Sequence, residues 1–417
     1  MQDYTKIARK TTLILFLAQC LASAGFIASA TVSALLGAKL GGGPAWAGVP
    51  SAIYGLGGAF AASAWGYLMD TIGRRNGIAL GLVTGAVGSV LVIISVNLGW
   101  LVVFLAGMLL LGVANAAVVL GRFAAAEVNP PLRRGSAIST VVLGGTFGSI
   151  FGPLVVGPAG AFMKTYGMEE NSGAYLVCAI LFALGALLIF VSLRPDPRDV
   201  GREVAKQYPQ PHLDGQARPI FKILLQPAAL TALMAMVLGQ VVMTGVMVIT
   251  SLHMQDNNHM LMDISMVISA HTFGMYAFSV ISGRLADRWG RAQVILAGGG
   301  VLVLACATAP LSPEVLPLAV SLFLLGLGWN FCYVGGSTLL ADQLSPTERA
   351  RTQGANDLLV GLASAAASLG AGLIFAGLGY TLVAVIGAVL SFIPVFFSIQ
   401  LMWNKSKAAG LSNFRSL

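Results

Sequence analysis

Gly66-Tyr67-Leu68-Met69-Asp70-Thr71-Ile72-Gly73-Arg74-Arg75 and Gly283-Arg284-Leu285-Ala286-Asp287-Arg288-Trp289-Gly290-Arg291 are two copies of one pattern, 217 residues apart. A second pair shares almost the same offset. Glu127-Val128-Asn129-Pro130-Pro131-Leu132-Arg133-Arg134 and Asp342-Gln343-Leu344-Ser345-Pro346-Thr347-Glu348-Arg349 lie 215 residues apart. Two unrelated patterns with nearly one offset mean that one structural unit is used twice.

What lies between these charged islands is apolar. The 417 residues are 57% hydrophobic and 10% charged, with a mean hydropathy of +0.83. A soluble domain carries about 25% charged residues, so charge this scarce excludes a soluble enzyme. A membrane-spanning helix needs about 20 mostly apolar residues. Twelve runs satisfy this: 11–38, 45–69, 76–97, 100–126, 135–160, 173–193, 226–250, 262–283, 292–311, 315–341, 350–375 and 380–403. They are too long, and do not alternate, to be barrel strands. The first run follows Lys6, Arg9 and Lys10, but its apolar part exceeds that of a signal peptide and it completes the repeat. The expected fold is therefore an all-α membrane protein of twelve transmembrane helices in two pseudo-symmetric six-helix bundles. Residues 1–193 form the first bundle, 194–224 a cytoplasmic linker and 225–417 the second bundle.

Basic residues orient the spans, because they are retained on the cytoplasmic side. With the N-terminus inside, 22 of the 24 Lys and Arg fall in cytoplasmic segments, and only Lys39 and Lys164 fall outside. Both termini are thus expected in the cytoplasm, in a bacterial inner membrane. The +8 net charge is read as a topology signal and not as a nucleic-acid surface. Cys20, Cys178, Cys306 and Cys332 all fall within spans with no metal-ligand spacing, so neither metal nor cofactor is expected.

Twelve helices in two halves, with the glycine-aspartate-glycine-arginine loop after the second and eighth, resemble the major facilitator superfamily of secondary transporters. The first copy departs from the family pattern at Thr71, where an arginine is usual; Arg288 keeps it in the second. The resemblance implies that Asp70 and Asp287 face helix starts in the opposite half. An ionised carboxylate is favoured at a helix N-terminus, and Ser345-Pro346-Thr347-Glu348 has the form of a capping box. Arg74 and Arg291 have Glu127 and Asp342 as acidic candidates. Gly66, Asp70, Gly73, Arg74, Glu127, Gly283, Asp287, Arg288, Gly290, Arg291 and Asp342 are therefore expected to form a cytoplasmic latch.

The fifth run contains Gly144, Gly145, Gly148, Gly152, Pro153 and Gly157. Glycine every fourth residue clears a helix face for close approach, and a proline bends the helix. The run resembles the glycine-proline motif of drug:proton antiporters, with Val156 departing from it, and Gly148, Gly152 and Pro153 are assigned to gating. The resemblance also implies that the first, fourth, seventh and tenth helices line a central cavity. Each holds one amide: Gln19, Asn115, Gln240 and Asn330. A polar group in lipid must find a partner or water. The expected substrate site is these four with Met243, His271, Trp329 and Tyr333; the alternative is that the amides join helices to one another. Ionisable residues inside spans are functional candidates by default, which puts Asp357, His271 and Arg122 forward for proton coupling. Many proton-coupled relatives carry an acid in helix 1 or 4 and the antiporters an arginine in helix 4, and this chain lacks both.

The expectation is a non-enzymatic secondary transporter, acting as a monomer in the lipid bilayer. It would move a small neutral or amphipathic molecule by alternating access, by proton-coupled export. The alternatives are a nutrient or metabolite importer and a non-transporting membrane sensor. No nucleotide-binding loop is present to support ATP-driven pumping.

Overall fold

The computed structural model describes residues 4–130, 133–207 and 218–415. Pro131, Leu132, the linker residues 208–217 and the side chains of Arg349, Arg351, Lys405, Lys407 and Arg415 lie outside this description. Sixteen α-helices are present among the described residues, and no strands.

The first six runs fold as α1 (Tyr4–Gly41), α2 (Val49–Ile72), α3 (Arg74–Leu98), α4 (Leu101–Val119), α5 (Gly121–Glu127), α6 (Arg134–Phe151), α7 (Val156–Thr165) and α8 (Ser172–Ser192). The fourth run is α4 continued by α5. The fifth is α6 and α7 joined by a 3₁₀ turn, Pro153–Val155, because Pro153 cannot donate to the helical ladder. The linker holds two helices that sequence reading did not mark, α9 (Pro197–Gln207) and α10 (Ile220–Leu224). The second half follows as α11 (Pro227–Asp256), α12 (Leu261–Tyr276), α13 (Ser279–Arg288), α14 (Arg291–Thr308), α15 (Val315–Ala341) and α16 (Pro346–Arg415).

Among the described residues, ten helical stretches are long and apolar enough to cross a membrane. This is consistent with twelve spans. The last stretch, Thr352–Asn404, has 53 residues; at about 1.5 Å per residue it is more than twice the thickness of a bilayer core of about 30 Å. It is divided at Gly379, whose φ of 78° breaks the helix. The 24-residue helix α2 accounts for the second run. Large apolar side chains such as Phe60, Val102 and Leu373 are exposed, as expected where lipid is the solvent. The multi-pass membrane fold is therefore plain.

By internal contacts the chain divides into two units. One is Met1–His212 with Met254–Ser269; the other is Leu213–His253 with Ala270–Leu417. The segment 254–269 groups with the first unit because a Cβ added at Gly157 or Gly160 on α7 would lie about 3 Å from Met262 or Leu261. Within the first unit, α1 packs on α6 and α8, α2 on α4, and α3 on α4 and α8; within the second, α14 packs on α15 and α16, and α13 on α15. Lys39 and Lys164, the two basic residues outside the expected cytoplasmic set, pair with Glu169 and Glu170 in the first unit.

Glycine makes these approaches possible. A Cβ at Gly144, Gly148 or Gly152 on the fifth run would overlap the carbonyl oxygen of Phe16, Cys20 or Ala24 on α1. Three contacts spaced by four on both helices are a ladder of backbone against backbone, which only residues without side chains permit. The repeat shows again between α2 and α4, where Gly112 lies on the Tyr54 carbonyl, and between α12 and α15, where Gly326 lies on that of His271.

Candidate functional site: two loops and two amide clusters

Each copy of the opening pattern is a helix–glycine–helix corner. Gly73 and Gly290 hold φ of 94° and 109° with extended ψ, a conformation that favours glycine. Beyond the corner, the Arg74 guanidinium reaches Asp70 at 2.9 Å and Glu127 at 2.7 Å. In the second unit, Arg291 reaches Asp287 and Asp342, both at 3.1 Å. The acidic candidates are thus the partners. A Cβ at Gly66 or Gly283 would meet nothing within 4 Å. Arg288 is exposed.

The linker enters the first loop. Asp196 accepts from the backbone N–H of Arg74 and of Arg75, each at 3.1 Å, and from that of Arg198 at 2.9 Å. Arg198 donates to the carbonyls of Asp70 and Thr71 at 3.0 and 2.8 Å. At the other end of the linker, Arg218 donates to Glu348 at 2.8 Å and to the carbonyl of Gln343 at 2.7 Å. Glu348 also accepts from the Ser345 N–H at 3.0 Å, which is the acidic half of the expected capping box. Its carboxyl is held well below the usual carboxylate range, first by the Arg218 side chain and then by the N–H groups of Arg218 and Ser345. The Arg218 guanidinium is raised in turn. Sequence reading missed Asp196, Arg198 and Arg218, since charge in a linker looks like a solvated surface. The available signal was Val200 and Val204, four apart.

Each unit carries its own polar cluster. In the second, Gln240 donates to Thr244 at 3.1 Å and to Ser364 at 3.3 Å, and accepts from the Trp329 indole at 2.8 Å. Thr244 and Ser364 lie 2.9 Å apart. Trp329 stacks on Tyr333 with ring centroids 5.0 Å apart and meets Tyr276 edge-on at 6.2 Å. All three rings are partly exposed, so α12 and α15 present an aromatic face beside an amide and two hydroxyls. In the first unit, Gln19 donates to Ser23 at 3.0 Å, and a Cβ at Gly145 would lie 3.3 Å from Ser23 Oγ. A glutamine followed four residues later by a hydroxyl was the legible sign of both pairs; Thr244 and Ser364 were not anticipated.

The two asparagines diverge. Asn330 is 2% exposed. It donates to the Met275 carbonyl at 2.7 Å and to Ser279 at 2.9 Å, and accepts from Ser282. These partners flank the break between α12 and α13, so Asn330 braces a helix interruption by satisfying a freed carbonyl. At the repeat positions of Ser279 and Ser282 the first unit has Ala62 and Trp65, and the Trp65 indole donates to the Val113 carbonyl at 2.8 Å. Asn115 is half-buried and makes no hydrogen bond among the described residues. Met243 is buried, and so is His271, whose Nδ1 lies 2.9 Å from the Leu322 carbonyl and whose Nε2 has no hydrogen-bond partner among the described residues. Asp357 is exposed and accepts from Asn356 at 3.3 Å. The Arg122 guanidinium sits 4.9 Å over the Phe123 ring, with its Nε buried and without a hydrogen bond among the described residues.

Two helix–glycine–helix corners, each closed by an arginine between two carboxylates, repeat within one all-helical membrane chain. The family model of the Major Facilitator Superfamily matches residues 15–261 and 235–415. The chain belongs to that superfamily. It is 31% identical over 403 residues to the MFS-type transporter YdeG of Bacillus subtilis, covering 96% of this chain and 93% of YdeG. It is 29% identical over 373 residues to the riboflavin transporter RfnT of Brucella anthropi, covering 89% of this chain and 90% of RfnT. A solved POT family transporter, in complex with 5-aminolevulinic acid, superposes with a TM-score of 0.69 at 13% identity, over 95% of this chain and 96% of that one. That likeness speaks for the fold.

Proposed function

We propose that this superfamily member exports a small neutral or amphipathic organic molecule in exchange for protons, by alternating access. The observation that carries the substrate class is the Gln240–Trp329–Tyr333 cluster. Stacked aromatic rings offer flat apolar surface, and one amide with two hydroxyls offers donors and acceptors without fixed charge. Such a lining suits a planar, uncharged molecule with a polar edge. A phosphate or dicarboxylate calls for cationic clamps, and none is present in either amide cluster. Asn115 of the first unit, whose amide makes no hydrogen bond among the described residues, is a separate polar candidate.

The exchange direction rests on the fifth run, where the antiporter-like glycines meet α1 and Pro153 interrupts the helix. The two loop networks serve as the latch of the cycle, and Asp357 is the proton carrier. His271 is the second carrier candidate, and Arg122 sets the local charge. The protein works as a monomer, with both termini in the cytoplasm of a bacterial inner membrane.

Import of a nutrient is the second reading, favoured by the similarity to RfnT along nine-tenths of the chain. One measurement separates the two. The purified protein is reconstituted in liposomes with a pH-sensitive dye inside, under an imposed pH gradient, and offered riboflavin, planar cationic dyes and neutral aromatics. Export by antiport predicts proton movement opposite to the compound. Movement of both in the same direction supports import by symport. If no compound moves and none shifts internal pH, the transport reading fails.

A further inference from the structure

Of the two corners in this chain, the first is completed by the linker. A helix leaves carbonyls unpaired at its C-terminus, where cations are favoured, and N–H groups unpaired at its N-terminus, where anions are favoured. At the α2–α3 corner both ends are met from one short segment. Arg198 binds the carbonyls of Asp70 and Thr71 at the end of α2, at 3.0 and 2.8 Å. Asp196 takes the first two N–H groups of α3, one on each oxygen, at 3.1 Å. Its carboxylate lies where a Cβ of Gly73 would be, so glycine at that place also admits the linker. Asp196 caps its own helix as well, through the Arg198 N–H at 2.9 Å.

The rest of α9 seats this pair. Val200 and Val204 are buried together with Ala8 and Val128. A Cβ at Gly201 would lie 3.0 Å from the Glu127 Cβ, and Glu127 is the partner of Arg74. One linker helix thus touches the backbone of Asp70, the backbone of Arg74 and the side chain of Glu127, which are all three members of the first charge network. The second corner is built otherwise. A Cβ at Gly290 would overlap the side-chain oxygen of Gln293, so the space over that glycine is filled locally. The second copy also keeps Arg288 where the first has Thr71, and it is the carbonyl of Thr71 that Arg198 binds in the first.

We propose that Asp196 and Arg198 are positioning residues of the first loop, and that α9 is a fixed part of the corner and not a passive tether. The capping role stands whether or not the protein transports; that the corner then acts as a latch rests on the reading above. Hydrogen–deuterium exchange on the full-length protein in lipid nanodiscs, without substrate, tests it. Asp196→Ala is expected to speed exchange at Arg74 and Arg75 about tenfold. Asp196→Asn, which keeps the shape but loses the charge and one acceptor, is expected to fall between it and wild type. Arg198→Ala is expected to loosen the same corner to a smaller degree. Peptides covering the second corner, residues 287–295, are expected to exchange as in wild type throughout, which separates a local cap from general unfolding. Unchanged exchange at Arg74 and Arg75, an Asn variant indistinguishable from Ala or from wild type, or an equal rise at both corners each overturns the proposal.

Discussion

The indole N–H of Trp329 donates to Oε1 of Gln240 at 2.8 Å, and the same glutamine gives its N–H₂ to Thr244 and Ser364. Three helices, α11, α15 and α16, are joined through one side chain. The ring of Trp329 is thereby held in a fixed plane, stacked on Tyr333. A buried hydrogen bond contributes about 1 kcal/mol, or roughly fivefold in an equilibrium constant. Trp329→Phe keeps an aromatic face and loses the donor, so the KM for a transported compound is expected to rise about three- to tenfold with little change in maximal rate. Trp329→Ala removes the face too, and a larger rise is expected. Initial-rate measurements in proteoliposomes decide this; an unchanged KM in both variants removes the cluster from substrate recognition.

The glycine ladder between α1 and the fifth run predicts a graded series. Overpacking a close contact costs about 1–3 kcal/mol. Gly148→Ala and Gly152→Ala would place Cβ atoms on the Cys20 and Ala24 carbonyls and are expected to lower the melting temperature in detergent. Gly66→Ala and Gly283→Ala add a methyl group with nothing within 4 Å and are expected to melt like wild type. Equal melting temperatures for all four would show that α1 retreats at no cost.

Gly73 and Gly290 pose a different demand. Their φ of 94° and 109° would strain any side-chain-bearing residue by about 1–2 kcal/mol, so alanine at either position is expected to destabilise. Gly73→Ala should be the worse, because its methyl group also displaces the Asp196 carboxylate. Thermal melts of the two single variants, compared side by side, give the order.

Proton coupling is proposed for Asp357, the exposed acid on α16. Asp357→Asn keeps the size and removes the ionisable group. Exchange of labelled substrate across the membrane without a gradient is expected to survive in this variant, while uptake driven by a pH gradient is expected to vanish. Full gradient-driven activity in Asp357→Asn would remove the carrier role.

The Arg218–Glu348 contact has a pH window that follows from its sign. Glu348 ionises below its ordinary value of 4.5 in the folded chain. A carboxylate with a depressed folded pKa stabilises fully above its unfolded pKa and loses that contribution as pH falls through the folded one. The melting-temperature difference between wild type and Glu348→Gln is therefore expected to stay constant from pH 8 to about 5 and to shrink only below about pH 4.5. A difference that already changes near neutrality would contradict the pairing.

The twelve apolar runs, the repeat and the acidic partners of Arg74 and Arg291 were legible because each is a matter of spacing along one chain. Glu127 and Asp342 each lie two spans away from their arginines, and the offset of the copies pointed to them. The roles of Asn330 and Asn115 were not legible. They occupy equivalent places, and only the partners around them, Ser279 and Ser282 against Ala62 and Trp65, separate a brace from an unengaged amide. His271 read as a titrating residue from its place in a span, and that reading did not show that its ring is packed against α15 with one nitrogen on the Leu322 carbonyl. Asp196 escaped notice because a carboxylate that caps a helix 121 residues earlier leaves no local trace.

The linker is anchored at two places, by α9 up to Gln207 on one unit and by Arg218 on the other. Between them run eleven peptide links. A fully extended chain covers at most about 3.3–3.6 Å per residue, so these two anchor points can never stand more than about 40 Å apart while both hold. That reach is the length limit the linker places on the distance between Gln207 and Arg218. Deleting residues from 208–217 would shorten that reach by about 3.5 Å each, which makes the length of a polar stretch an adjustable limit.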